Sequence, residues 1–153
     1  MRLASAIGLT LLAISCTRRD QQAFWQPGAV YSLRLETSET PHLMPEILAK
    51  RSPLSDTVVF SLVVDSVAGD SVFGRHRGDS FHFWPLSRGA DDTTFVATRN
   101  REHWYIDLDP HARDAGVDLS GELSHDRVTG AWATRGPVAF RGTFIAARAP
   151  NDR

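Results

Sequence analysis

From about residue 28 onward the chain alternates between apolar and polar positions. Val117, Leu119, Gly121 and Leu123 fall on one side of their segment, with Asp118, Ser120 and Glu122 on the other. Val128, Gly130 and Trp132 are opposed by Arg127, Thr129 and Ala131, and Val138, Phe140, Gly142 and Phe144 by Arg141 and Thr143. A period of two marks a strand with one buried face, whereas the 3.6-residue period of a surface helix is nearly absent. Gly, Asp, Asn and Pro interrupt these runs at short intervals, as turns require. The pattern predicts strands over 29–36, 56–67, 71–77, 80–86, 93–99, 103–109, 116–123, 127–134 and 138–148. Eight or nine antiparallel strands in meander order close into a small barrel, the expected fold, or fold into a β-sandwich.

Register follows from the turns. A turn centred on His125 and Asp126 sets Leu119 opposite Trp132, Leu123 opposite Val128 and Gly121 opposite Gly130. A turn centred on Gly136 would set Trp132 opposite Phe140 and Gly130 opposite Gly142. The expectation is then a row of three glycines across three strands on the apolar face. Such a row lets a sheet bend sharply and leaves a trough for a side chain or a ligand. A short echo, Asp-x-Val-x-Gly, occurs at 70–74 and again at 126–130. It predicts two hairpins built alike.

The stretch 37–55 is the one long connection. It contains Pro41, Pro45 and Pro53, with a turn or two of helix expected over 46–50. Long connections in compact domains often act as lids. Over roughly 28–148 this layout resembles the lipocalin and fatty-acid-binding architectures, in which a partly helical connection after the first strand covers a barrel mouth. The likeness is one of architecture, because Trp25-Gln26-Pro27-Gly28 does not carry the Gly-x-Trp signature of lipocalins.

The N-terminus reads as an address. Met1 and Arg2 form a short basic start, residues 3–14 are apolar or small, and the only cysteine follows at position 16. The apolar run is shorter than the roughly 20 residues a spanning helix needs. Leu12-Ala13-Ile14-Ser15-Cys16 resembles the lipobox of bacterial lipoproteins. The resemblance implies cleavage before Cys16 and diacylglycerol on its thiol, with Thr17 pointing to the outer rather than the inner membrane of a cell that has both. Ala13-Ile14-Ser15 also fits the small-x-small site of ordinary export, which would leave a soluble periplasmic or secreted protein. The expected organisation is a signal over 1–15, a lipidated terminus and tether over 16–27, a β-barrel over 28–149 and a tail over 150–153. Trp25, near the end of the tether, is expected to dock on the barrel in preference to the lipid interface.

Composition narrows the function classes. The 153 residues carry a net charge of −1, against the basic excess usual in nucleic-acid-binding domains. One cysteine excludes an internal disulfide and a cysteine-built zinc site. The six histidines (His42, His76, His82, His103, His111, His125) form no metal-ligand spacing and read as polar positions on solvent-facing strand faces. The acids Asp91, Asp92, Asp107, Asp109 and Asp114 lack the density of a calcium loop. Neither a nucleophile motif nor a phosphate-binding glycine loop is present, so neither catalysis nor a cofactor is expected.

Aromatic residues carry the remaining signal. Trp104, Trp132, Phe140 and Phe144 lie on apolar faces and are the expected lining of a site for a small apolar or amphipathic ligand, beneath the 41–53 connection. Phe81, Phe83 and Trp84 fall on both faces of the expected 80–86 strand, and strand 56–67 is apolar on both faces at its start. A strand apolar on both faces is covered twice: by the long connection, by the Trp25 segment or by another protein. Two functions follow from different classes. One is a lipid-anchored barrel that holds a small ligand. The other is an assembly lipoprotein with a packed barrel that binds another envelope protein through strand 56–67 or 80–86. A small hydrolase is the remote third.

Overall fold

Residues such as Tyr31, Leu33 and Leu35 leave water only if a sheet has an inner surface, and a meander supplies one by curling on itself. A computed structural model describes residues 24–39, 57–78, 94–111, 116–135 and 140–150. Within them eight antiparallel strands follow in order: β1 (Val30–Glu39), β2 (Thr57–Ala68), β3 (Ser71–Gly78), β4 (Thr94–Asn100), β5 (His103–Leu108), β6 (Gly116–Ser124), β7 (Arg127–Arg135) and β8 (Arg141–Arg148). Each pairs with the next, and β8 returns to β1 to close the barrel. The expected strands lie within about two residues of these bounds, save that β1 runs three residues beyond 36 and β8 starts three residues later than 138. The segments 80–86 and 46–50, the signal and Cys16 lie outside the described residues. β3 pairs directly with β4, so the ring closes through eight strands.

Alternation places the side chains as the pattern requires. Leu33 and Leu35 are buried inside the barrel, while Arg34 and Glu36 pair on its outer wall at 2.9 Å. In β2, Phe60 and Leu62 point inward and Val59 outward, where it stays half-exposed. The Asp-x-Val-x-Gly echo opens β3 and β7, each entered from a two-residue turn. Val72 and Val128 are both fully buried, and a Cβ on Gly74 or Gly130 would overlap a carbonyl of the neighbouring strand, that of Val63 or Ser120.

The β6–β7 register is the expected one: Leu119 faces Trp132, Leu123 faces Val128 and Gly121 faces Gly130. The β7–β8 register differs by two residues. Trp132 faces Gly142 and Gly130 faces Phe144, so the row of three glycines does not form. This register continues past the strands in the backbone bond from Thr134 N–H to Phe140 O (3.0 Å) and in Phe140 N–H donating to Thr134 Oγ1 (2.9 Å). A shift of two keeps every side chain on its face. It also fills the trough. The Phe144 ring lies over Gly121, its Cζ 2.8 Å from where a Cβ would stand, and the Trp132 indole lies over Gly142.

The two ends of the barrel are unlike. Three connections at one end are two-residue turns, at Gly69–Asp70, Arg101–Glu102 and His125–Asp126. Each begins with a residue at positive φ (60°, 60° and 57°). The longer connections from Glu39 to Thr57, Gly78 to Thr94, Leu108 to Gly116 and Arg135 to Arg141 all join strands at the other end. The N-terminal segment enters at the end with the tight turns.

Candidate functional site

The tight-turn end is sealed from within. Trp25 is 2% exposed, with ring centroids 4.6 Å from Tyr31, 5.8 Å from Trp104 and 6.4 Å from Phe95. Its segment is tied at several points. The Tyr31 hydroxyl donates to Phe24 O and accepts from Gln26 N–H at 3.1 Å. Gly28 N–H donates to Val64 O (2.8 Å), and Val64 N–H donates to Ala29 O (3.0 Å). Burial pushes the Tyr31 phenol above its ordinary pKa, so it remains a donor. Trp25 thus docks on the barrel, as expected, and belongs to its core.

The structure separates the four aromatic residues expected to line a site. All four are buried. Trp104 sits near the start of β5, against Trp25 at the sealed end. Phe144 lies in the middle of β8, paired with Leu35 and Gly130. Trp132 and Phe140 stand at the end with the longer connections. Phe144 also floors, with Gly130, a groove of about 340 Å³ on the outer wall between Arg34, Glu36, Thr129, Thr143 and Ile145.

Two indoles inside the sealed end lack an acceptor among the described residues: Trp25 Nε1 and Trp104 Nε1 are buried with no hydrogen-bond partner there. A buried donor left unpaired costs about 1–3 kcal/mol, and such groups are rare enough in folded proteins to need a reason. Trp132 differs, because its Nε1 donates to Glu36 O at 3.1 Å. The sealed end therefore holds two indole donors among buried apolar side chains.

The end with the longer connections carries polar groups that alternation alone could have located. His76 shares a face with Val72 and Gly74 and stands opposite the buried Leu62. It therefore points inward and is partly buried, which corrects the reading of His76 as a solvent-facing strand position. Its ring meets Phe60 edge-on at 5.9 Å. Burial lowers its pKa below the ordinary 6.5, opposed by the nearby charge of Asp109. His103, by contrast, lies exposed on the outer wall, 3.6 Å from Glu122. His42 and His82 lie outside the described residues.

On the outer rim Arg135 reaches across β6 to β5. Its Nη2 donates to Asp107 Oδ1 (2.5 Å) and to Asp109 O (3.2 Å), and its Nε lies 3.4 Å from Asp118 Oδ1. Gly116 clears the path, because a Cβ there would overlap the guanidinium. Partial burial holds the Asp107 carboxyl above its ordinary pKa, with Arg135 opposing. These aspartates are engaged by an arginine, and among the described residues no group of three or more His, Cys, Asp or Glu side chains could hold a metal ion. Sequence reasoning passed over Arg135 because its partners lie on two other strands, 17 or more residues away in the chain.

No protein-family model matches this chain, and no curated protein is significantly similar to it.

Proposed function

We propose that this protein is a lipid-anchored barrel of the bacterial cell envelope that binds a small amphipathic ligand inside the barrel. The observation that carries the reading is the pair of indole donors of Trp25 and Trp104, unpartnered among the described residues, within a closed, apolar barrel. A barrel serving only as a packed scaffold gains nothing from two unpaired buried N–H groups. A ligand with an apolar body and one acceptor would satisfy them. Eight strands give an interior just wide enough to be filled by side chains or to hold one small molecule. Entry is at the end with the longer connections, past Trp132, Phe140 and His76. The anchor is Cys16, at the outer membrane where the cell has two, and the role is binding rather than catalysis.

Native mass spectrometry of the full chain, extracted from the envelope of an expressing cell, tests this. A co-purifying mass that leaves on unfolding, and that Trp104→Phe weakens, supports the reading and identifies the ligand. A bare protein mass that persists after exposure to a bacterial lipid extract overturns it. The second reading is the packed barrel that binds another envelope protein. It draws on Val59 and Ile145, half-exposed on the outer wall on either side of Arg34, and cross-linking from those positions in cells would identify that partner.

A further inference from the structure

The outer wall of β3–β4–β5 carries exposed aromatic side chains. Phe73 and Tyr105 are 42% and 46% exposed, and Val96 lies between them. Two register rows cross this face. One runs from Ser66 through Phe73 and Val96 to Asp107, the other from Ser71 through Thr98 and Tyr105 to Ser120. Asp107, at the end of the first row, is the one charged residue in the two rows, and Arg135 pairs with it. The other exposed apolar pair, Val59 and Ile145, is divided by Arg34, to which both are paired in register.

The position of the face matters as much as its composition. Phe73 and Tyr105 each stand three residues beyond a tight turn, at Gly69–Asp70 and Arg101–Glu102. At about 3.3 Å per residue they lie within roughly 10 Å of the sealed end. The chain enters at that same end, where Phe24 and Trp25 pack on Tyr31. Residues 17–23 join this point to Cys16 and span at most about 25 Å fully extended. An anchor at Cys16 thus holds the sealed end close to the lipid surface, while strands of up to 12 residues set the mouth at the far side.

We infer that the Phe73–Val96–Tyr105 face rests on the bilayer interface, so that the barrel is held with its sealed end toward the membrane and its mouth away from it. This rests on the anchor at Cys16. Aromatic rings are favoured at the headgroup level of a bilayer, hydroxyl side chains are compatible with it, and the Asp107 carboxylate at the edge of the face is already paired with Arg135.

Spin labels on single introduced cysteines test the inference in the full acylated chain, reconstituted into phosphatidylethanolamine–phosphatidylglycerol vesicles. The variants are Phe73→Cys, Tyr105→Cys, Val59→Cys and Ile145→Cys, all at exposed positions. An acylated Cys16 has no free thiol and takes no label. The expected result is an oxygen-to-nickel accessibility ratio several-fold higher at 73 and 105 than at 59 and 145. Equal ratios at all four positions, with Cys16 unlabelled, overturn the inference and leave the anchor standing. Labelling of Cys16 itself in the unsubstituted chain overturns the anchor, and the assignment of this face to lipid falls with it.

Discussion

Trp132 on β7 donates its indole N–H to the carbonyl of Glu36 on β1, 3.1 Å away, across the intervening strand β8. The crossing is possible because β8 has Gly142 at that point. A Cβ on Gly142 would overlap the Glu36 oxygen and lie 2.6 Å from Trp132 Nε1. The bond fastens the β1–β8 seam beside the register shift at Thr37 and Glu39, where the ladder is irregular. Gly142→Ala is therefore expected to lower stability by about 1–3 kcal/mol, the range for overpacking a close-packed contact. Urea denaturation would show it as a lower midpoint with an unchanged slope.

Two tryptophans make opposite predictions for the same substitution. Trp132→Phe removes a bonded donor and leaves the Glu36 carbonyl without it, adding about 1–3 kcal/mol to the cost of the lost ring atoms. Trp104→Phe loses similar ring atoms but removes a donor that has no acceptor among the described residues, which offsets part of that cost. Trp132→Phe should be the more destabilising by at least about 1 kcal/mol, measured on ligand-free protein. Equal losses would mean that Trp104 Nε1 is satisfied in solution.

Most of the fold was legible because alternation and turn residues are local signals. Leu119 opposite Trp132 needed only the two-residue turn at His125 and Asp126. Gly142 opposite Trp132 was not legible, because the β7–β8 turn can centre on either of two adjacent residues. Alternation cannot choose between registers two residues apart, since both keep the same faces buried. Packing chooses: one register stacks three glycines, and the other lays Phe144 over Gly121. The aromatic lining was legible as a buried face but not as a site, because depth along the barrel is a property of the closed ring. Trp104 at the base and Trp132 at the mouth look alike in sequence. His76 was within reach of the alternation rule and was missed by treating histidine as a surface residue.

The tight-turn end contains a strained position with a simple remedy. Arg101 has φ of 60° at the start of its two-residue turn, a region where a Cβ crowds the following carbonyl. The corresponding position in the β2–β3 turn is Gly69, also at 60°. Arg101→Gly relieves the crowding at some cost in unfolded-chain entropy, for a net gain of about 0.5–1 kcal/mol. Thermal unfolding should rise by a few degrees. A fall would mean that the Arg101 side chain contributes more than its backbone costs.

His76 gives the barrel a pH dependence whose sign follows from its placement. Burial lowers its folded-state pKa below the ordinary 6.5, and Asp109 only partly opposes the effect. In the unfolded chain the imidazole takes up its proton as the pH falls through about 6.5, while in the folded protein it does so only at lower pH. Between those two values the unfolded state binds more protons, so stability falls as the pH is lowered, and below the folded pKa this contribution is flat. The effect belongs to the mouth, where a charged imidazole against the Phe60 ring would also have to be hydrated. His76→Gln keeps a polar side chain of similar length and removes the titration. Denaturation midpoints measured from pH 7.5 down to 5 should therefore fall less steeply for His76→Gln than for the parent. Parallel curves for the two proteins would show that His76 titrates as it does in water and is not held against the barrel interior.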